Sequence, residues 1–239
     1  EILEFFDASG VLVLEGWGMT ETSTASTIAT PEDFKWGTVG KPVPGSELRI
    51  ADDGEVLVKG PNIFQGYYKN PDATRETLVD DWLHTGDIGE IDPDGYLKIT
   101  GRKKDIIITA GGKNITPANL EAEIKQHPLV SQCVVIGDRR PFLVALVTLD
   151  PEEAAKYAQE HGLPADSAAL AENAEVKASI DAHVEKINEK FARVEQVKKV
   201  QILPQDLSQE GGELTPTMKV KRNVVADKYA GEIDSLYAV

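Results

Sequence analysis

The sequence predicts a mixed fold that is part α+β and part α/β, and two observations lead to this prediction. Between residues 11 and 100, short strand patterns are separated by turns rich in aspartate, proline and glycine, which is typical of an antiparallel β region. After Gly101, helix and strand patterns alternate, as they do in a small α/β unit. The chain has 239 residues, enough for one large domain or two modest ones.

The β-rich part follows a helix pattern at residues 1–7, which is already under way at the first residue and therefore predicts a piece of a longer chain. A short helix is expected after Asn70, because the Asn70 side chain can cap it and Pro71 suits the first helical position. Strands are expected at residues 11–14, 48–50, 55–59 and 96–100, with turns at residues 52–54 and 92–95.

The second part is expected to contain several helices with clear end signals. Thr116 is predicted to cap one helix, and Asp150 with Glu153 forms a capping-box arrangement for another, which Gly162 closes. Apolar positions at intervals of three and four predict a long helix over residues 175–194 that packs on its own domain. Strands are expected at residues 106–109, 132–136, 142–149 and 197–202, and a last helix carries apolar positions 225, 229, 233 and 236.

Composition narrows the classes of partner. The chain has 40 acidic and 25 basic residues and a net charge of −15, which argues against nucleic acid or an anionic membrane surface as the default partner. Cys133 is the sole cysteine and lies in an apolar run, so a buried inert thiol is expected. The longest apolar runs are far shorter than the ~20 residues that span a bilayer. With no signal peptide visible, a cytoplasmic location is expected.

The run at residues 16–22 contains three residue types that suit a nucleotide. Trp17 follows a strand pattern, where a core tryptophan is the better interpretation by position alone, although an exposed ring can stack on a purine. Thr20 adds a hydroxyl that suits a phosphate oxygen, and Glu21 adds a carboxylate that suits Mg²⁺. Together they favour a nucleotide contact.

A second candidate contact combines a carboxylate with a basic triplet. Asp87 lies in a predicted turn after His84, and its carboxylate can accept hydrogen bonds from the two hydroxyls of a ribose, although such a turn alone is usually just a turn. His84 itself is interpreted as a packing or turn residue. Arg102 follows Asp87 by fifteen residues along a predicted hairpin and opens the triplet that ends at Lys104. The glycine pair at 111–112 permits a tight turn or the close approach of a slim ligand.

Two lysines near the end of the chain are candidates for stabilising anionic charge. Lys219 and Lys221 lie two residues apart, followed by Arg222. A positioned ammonium can stabilise negative charge that builds in a transition state. The start of a basic helix explains Lys221 and Arg222 equally well, and the sequence leaves Lys219 and Lys221 as alternatives for the catalytic position.

The order and spacing of these motifs resemble the adenylate-forming superfamily of acyl-CoA synthetases, adenylation domains and luciferases, and most of all the bacterial long-chain fatty acyl-CoA synthetases. The resemblance implies that residues 1–101 end a large adenylate-binding domain, residues 102–105 form a hinge, and residues 106–239 form a small mobile α/β domain. The glycine-rich phosphate loop of the superfamily is absent from this sequence. The implied roles are adenine contact for Trp17, phosphate contact for Thr20, Mg²⁺ binding for Glu21, ribose contact for Asp87 and Arg102, passage of CoA pantetheine for Gly112, the pivot for Lys104 and catalysis for Lys219.

The activity that the resemblance implies is ATP-dependent and Mg²⁺-dependent formation of an acyl-adenylate from a fatty acid, followed by transfer to CoA. The chain by itself is expected to be inactive or incomplete. Two alternatives stay open: a ligase that loads a carrier protein, and a non-catalytic AMP-binding module. Acyl length, oligomeric state and peripheral contact with the inner face of the membrane are left open as well.

Overall fold

The computed structural model describes residues 2–238. The chain divides into two compact units, one ending at Lys104 and one beginning at Asp105. The division falls within the 102–105 segment that the sequence analysis marks as a hinge. Among the described residues, no helix is long and apolar enough to cross a membrane.

The first unit is mainly β-structure with two short helices. A 3₁₀ turn at Thr20–Thr22 lies between its first two strands, and another at Lys103–Asp105 crosses the division between the units. The helices are α1 (Ile2–Ala8) and α2 (Pro71–Thr77), and the strands are β1 (Gly16–Trp17), β2 (Thr27–Ile28), β3 (Lys41–Pro42), β4 (Glu47–Ile50), β5 (Glu55–Lys59), β6 (Leu78–Val79), β7 (Trp82–Ile91) and β8 (Leu97–Arg102).

All strand pairs of the first unit are antiparallel. The strands β1, β2 and β3 form a small sheet, and a five-stranded sheet follows the order β4-β5-β7-β6, with β8 paired to β7. The ten-residue strand β7 therefore pairs with three other strands. Its neighbour β5 lies between β4 and β7, and the Val56–Leu57–Val58 run of β5 is buried on both faces.

Two predictions for this unit need correction. The strand expected at residues 11–14 is irregular: Val11 is 51% exposed, and the nearest pairing, of β1 with β2, begins only at Gly16. Apolar and β-branched residues favour a strand, but a strand also needs a partner. The turn expected at residues 85–87 lies inside β7, where the ladder is irregular. The helix after Asn70 is confirmed, since Asn70 Oδ1 accepts the Ala73 amide at 3.2 Å.

The second unit is a small α/β assembly. Its helices are α3 (Pro117–Ile124), α4 (Pro151–His161), α5 (Ser167–Ala171), α6 (Ala174–Asn188), α7 (Arg222–Lys228) and α8 (Ala230–Tyr237), and its strands are β9 (Ile107–Ile108), β10 (Asn114–Ile115), β11 (Val130–Ile136), β12 (Leu143–Leu149) and β13 (Val197–Ile202). The mixed α/β and antiparallel architecture is the predicted fold class.

The three-stranded sheet of the second unit is covered on both faces. Its central strand β12 is antiparallel to β11 and parallel to β13. Leu143, Ala145 and Val147 join the larger apolar cluster, which includes buried positions of α3, α4, α5 and α6, while Val144 and Leu146 join a second cluster with α7 and α8. This two-sided burial explains why the whole of β12 is apolar.

The end signals of α4 are confirmed and Thr116 takes the N-cap position of α3, but two other predictions for this unit are wrong. Asp150 Oδ1 accepts the Glu152 and Glu153 amides, and Gly162 closes α4 with φ +66°. Thr116 precedes α3 but makes no capping hydrogen bond with its side chain. The helix predicted to reach residue 194 ends at Asn188, because Asn188 turns its side chain to the Val197 backbone at 2.8 and 2.9 Å.

The second error concerns the last helix, which is interrupted at Tyr229, so that α7 and α8 pack separately against the sheet. The predicted burial of Cys133 is confirmed. Burial raises the pKa of the Cys133 thiol well above its usual value, so the neutral form is favoured.

Candidate functional site

Asp87 is the centre of the candidate site in the first unit. It is 4% exposed, and the β7–β8 ladder pairs it directly with Arg102. The Trp17 indole Nε1 donates to Asp87 Oδ2 at 2.9 Å, and Arg102 Nε lies 2.8 Å from Asp87 Oδ1. Three residues that are far apart in the sequence are therefore held together by one buried carboxylate.

The bonds to Asp87 do not use all of its acceptor directions. Each oxygen of an ionised carboxylate has two acceptor directions, so one on each oxygen remains after Trp17 and Arg102 have donated. The guanidinium of Arg102 balances the buried charge and is itself 45% exposed. The indole of Trp17 is held by its edge, which fixes the orientation of the ring.

An irregularity in the β5–β7 ladder places Asp87. Leu57 pairs with His84 and Glu55 with Ile88, so β7 has two more residues than β5 across this step. Such a bulge re-aims side chains and is common beside functional sites. The hydroxyl of Thr85 in the bulge donates to the Val56 carbonyl at 2.7 Å.

The segment after Trp17 turns sharply at Gly18. A Cβ on Gly18 would lie 1.6 Å from the carbonyl oxygen of Thr24, so this close approach requires glycine. Ser23 and Thr24 have positive φ angles of 51° and 101°, which is costly for non-glycine residues. The 3₁₀ turn at Thr20–Thr22 follows, and it leaves the Thr20 side chain exposed.

Glu21 can offer one carboxylate oxygen to a magnesium ion whose remaining ligands come from phosphate and water. The Tyr67 hydroxyl donates to Glu21 Oε1 at 2.7 Å, which leaves Oε2 as a potential ligand. Burial and the bond to Glu21 raise the pKa of Tyr67, so its hydroxyl stays a donor. Within residues 2–238, no group of three metal-ligating side chains is present. The donor set therefore suits Mg²⁺ that takes one carboxylate plus phosphate and water oxygens.

An open cleft of about 550 Å³ in the first unit holds part of the predicted set. Glu21, Arg102 and Lys104 line it, whereas Trp17 and Asp87 do not, and neither does Thr20. Lining residues that the sequence analysis did not assign are Met19, Glu55, Tyr67, Glu76, Thr77 and Lys103.

Lys219 lies in the second unit, on an exposed turn. Thr215 N–H donates to the Lys219 carbonyl at 2.8 Å, and Lys219 N–H donates to Thr215 Oγ1 at 3.0 Å. Met218, directly before it, has φ +61°, a conformation that favours glycine. Among the described residues, the Lys219 ammonium has no ion pair or hydrogen-bond partner.

Arg222 anchors this turn to the body of the second unit. Its Nη1 donates to Glu121 Oε1 at 2.7 Å and to the Val135 carbonyl at 2.8 Å, and its Nη2 donates to Glu121 Oε2 at 2.9 Å. Lys221 N–H donates to the Glu213 carbonyl at 2.7 Å, and the side chain of Lys221 is half-buried. Arg222 thus has a structural role, and Lys219 is the more exposed of the two lysines.

Gly112 forms a tight turn in the second unit. It has φ +72°, its amide donates to the Thr109 carbonyl at 2.8 Å, and no atom lies within 4 Å of the position that a Cβ would take. The turn links β9 to β10. The side of the backbone that a Cβ would occupy is open, and the passage of a slim ligand here stays a prediction.

The sequence reasoning missed two acidic or aromatic partners of the site. Glu55 is 4% exposed and contacts His84, which is therefore not the simple packing residue that was expected. A charged residue directly before the apolar run of β5 was the available signal, because a buried charge needs a partner. For Tyr67, the sequence carries no comparable signal, since its partner Glu21 is forty-six residues away.

Two family models match the chain. One described as "AMP-binding enzyme C-terminal domain" covers residues 104–239, and one described as "AMP-binding enzyme" covers residues 1–68. The fold and these matches define an AMP-binding unit of the adenylate-forming class. The chain belongs to the AMP-binding enzyme family.

Similar proteins agree with that assignment. The long-chain-fatty-acid–CoA ligase FadD15 of Mycobacterium bovis is 50% identical over 98% of this chain and 39% of the relative. The long-chain-fatty-acid–CoA ligase ACSBG2 of Xenopus laevis is 39% identical over 99% of this chain and 36% of the relative. The Bacillus subtilis O-succinylbenzoate CoA synthetase (MenE) in complex with ATP and magnesium superposes with a TM-score of 0.70 at 27% identity, over 93% of this chain and 43% of that one. This chain thus spans about two fifths of these relatives.

Proposed function

We propose that the protein carrying this chain is an ATP-dependent, AMP-forming fatty acyl-CoA ligase. The observation that carries the proposal is the buried Asp87 carboxylate, held by Trp17 and Arg102 with acceptor capacity left for a ribose diol. The substrate class comes from the relatives, several of which are named long-chain-fatty-acid–CoA ligases.

In the first half-reaction, the fatty acid carboxylate attacks the α-phosphate of ATP and pyrophosphate leaves. Asp87 accepts the ribose hydroxyls, while the contact with Arg102 holds that carboxylate in place. Thr20 donates to the phosphate, and the exposed Lys219 ammonium stabilises the charge that grows as the two anions meet. Glu21 would hold Mg²⁺, which supplies charge neutralisation on the phosphates when it is bound.

In the second half-reaction, the CoA thiol attacks the acyl-adenylate carbonyl and AMP leaves. We propose that backbone rotation at Lys104 withdraws Lys219 and lets the pantetheine arm pass the open backbone at Gly112. Hinges are a few residues at the ends of elements that absorb changes in φ and ψ. Lys104 fits this description because it lies in the 3₁₀ turn at the division between the units.

The proposed partners are the small molecules fatty acid, ATP and CoA. We place the protein on the cytoplasmic side, with any membrane contact peripheral.

The function is tested with the full-length protein, a long-chain fatty acid, Mg²⁺-ATP and CoA. The proposal predicts equal amounts of acyl-CoA, AMP and pyrophosphate. Acyl-adenylate that loads a carrier protein but yields no acyl-CoA would contradict the acceptor. If hydroxylamine traps no acyl-adenylate while AMP still binds, the protein is a non-catalytic AMP-binding module and the proposal is wrong.

A further inference from the structure

Glu55 accepts a hydrogen bond from a backbone amide in the bulge of β7, that of Gly86. Gly86 lies in the bulge with φ +71°, and its amide donates to Glu55 Oε1 at 2.8 Å. A partly buried amide is destabilising without an acceptor, so this carboxylate stabilises the bulge that carries Asp87. Asp87 is the next residue along the strand.

The second oxygen of the same carboxylate reaches the residue before the proposed pivot. Glu55 Oε2 lies 3.0 Å from Lys103 Nζ and 3.1 Å from His84 Nδ1. Lys103 Nζ also pairs with Asp53 at 2.6 Å. Burial raises the pKa of Glu55, but the bonds from Lys103, His84 and the Gly86 amide outweigh it, so the net shift is downward and the group is ionised.

We propose that Glu55 is a positioning residue that acts through Asp87 and Lys103. Its Oε1 sets the backbone that aims Asp87 at the ribose, and its Oε2 holds Lys103 so that rotation begins at Lys104. One buried carboxylate thus joins the nucleotide contact to the fixed side of the hinge. This inference rests on the proposed function for its kinetic part and on the geometry of the first unit for its structural part.

The chain offers a matched pair of variants. Glu55→Gln keeps the size of the side chain but replaces one acceptor oxygen with an NH₂ donor, so the Gly86 amide or the Lys103 ammonium must face another donor. Asp53→Asn weakens the hold on Lys103 and leaves the Gly86 bond intact. A role specific to Glu55 is therefore separated from general loss of charge near Lys103.

The kinetic test uses adenylate formation by the full-length protein. Losing a hydrogen bond to a charged group corresponds to about a tenfold effect, so Glu55→Gln is expected to raise the KM for ATP about tenfold and leave the KM for fatty acid unchanged. Asp53→Asn is expected to stay within about twofold. An unchanged KM for ATP in Glu55→Gln, or equal rises in both substrates' KM values, would overturn the proposal.

A structural test measures the Gly86 bond and the Lys103 contact of Glu55 directly, even if the wild-type protein makes no acyl-adenylate. Glu55→Ala removes both acceptor oxygens, so hydrogen exchange at the Gly86 amide and trypsin cleavage after Lys103 should both accelerate, whereas Asp53→Asn should accelerate the cleavage alone. If Glu55→Ala does not fold, Glu55→Gln and Glu55→Asp are used, each of which can satisfy only one of the two contacts. Wild-type exchange at Gly86 in a folded Glu55→Ala, or wild-type rates of both exchange and cleavage in Glu55→Gln or Glu55→Asp, would contradict the positioning role.

Discussion

The two charged groups most central to the proposed chemistry are held in opposite ways. The Asp87 carboxylate of the first unit is buried and bonded to Trp17 and Arg102. The Lys219 ammonium of the second unit is exposed on a turn and has no partner among the described residues. In the proposed reaction, Asp87 binds the same ribose in both half-reactions, which suits a side chain that is held in place. Lys219 acts in one half-reaction only, which suits an ammonium that has no ion-pair partner in the part of the chain that the structure describes.

In the second unit, the residue that holds the Lys219 turn in place is not the residue that supplies the charge. The bonds that order the Lys219 turn come from its neighbours, above all from Arg222 to Glu121. Arg222 is thus used for position, which leaves Lys219 for charge. In the first unit, Asp87 and Arg102 hold each other in position and also supply the charges of the site.

The largest expected effect is the loss of adenylate formation when Lys219 is replaced. Lys219→Ala in the full-length protein should slow adenylate formation about 10²–10³-fold, the usual cost of removing a group that stabilises charge in the transition state. Attack of CoA on preformed acyl-adenylate should stay near the wild-type rate. Rapid-quench measurement of both half-reactions checks this.

The control for that experiment is Lys221→Ala, two residues away. Its side chain is half-buried at the start of α7, and we expect adenylate formation within about threefold of wild type because it contacts no reacting group in the proposal. If Lys221→Ala has the larger effect, the catalytic role belongs to Lys221 and the assignment of Lys219 is wrong.

The next effect concerns the carboxylate. Asp87→Asn removes the charge and replaces one acceptor oxygen with an NH₂ group, which loses the bond from Trp17 or from Arg102. The KM for ATP should rise about 10–100-fold, as expected when hydrogen bonds to a charged group are lost. Glu90→Gln, on the same strand but 64% exposed and paired with Lys98, serves as the control and should leave this KM unchanged.

A smaller effect is a pH dependence of the stability of the second unit, which comes from His127. The Leu129 amide donates to His127 Nδ1 at 3.2 Å in the second unit, so protonating His127 breaks this bond. Burial, together with the nearby His183, lowers the pKa of His127 below 6.5. Because the unfolded chain binds this proton more readily, the contribution is complete above the unfolded pKa and is lost as the pH falls through the folded pKa.

Hydrogen exchange at the Leu129 amide measures that loss. Between about pH 7.5 and pH 5, the free energy of opening should fall by ~1 kcal/mol, the net worth of one hydrogen bond, after correction for intrinsic exchange. In His127→Gln this pH dependence should disappear. An equally steep dependence in that variant would assign the effect to another group.

The smallest effect comes from the backbone conformation of Met218, in the turn that carries Lys219. Met218 has φ +61°, so Met218→Gly removes a steric cost of about 1–2 kcal/mol but adds backbone freedom worth about 0.5–1 kcal/mol. We expect adenylate formation to be unchanged and stability to change by less than about 1 kcal/mol. Met218→Val should slow adenylate formation, because a β-branched residue is a poor fit to this φ. Equal rates in the Gly and Val variants would show that the turn geometry does not matter.

Much of the fold could be predicted where local signals are strong. Asn70, Asp150 and Gly162 mark helix ends through their own side-chain or backbone chemistry, and the structure agrees. The end of α6 could not be predicted from periodicity, because it depends on the Asn188 side chain meeting Val197. A tertiary contact overrides a helical pattern that continues past it.

The site shows the same limit. The hairpin that carries Asp87 and Arg102 was predicted, but the direct pairing of the two residues is a finding of the structure. The bulge and its acceptor Glu55 were not predicted, since a ladder irregularity depends on the register of two strands rather than on either sequence alone. Tyr67 was missed for a related reason, because its bond to Glu21 exists only after both loops have folded.

The central claim is that a fixed nucleotide site in the first unit is served by a lysine that the second unit brings and withdraws by rotation at Lys104. Lys104→Pro tests this most directly, because proline fixes φ near −65° and removes the freedom that a hinge needs. In the full-length protein, we predict adenylate formation near the wild-type rate and loss of CoA attack on preformed acyl-adenylate. Equal losses in both half-reactions, or none in either, would contradict the claim.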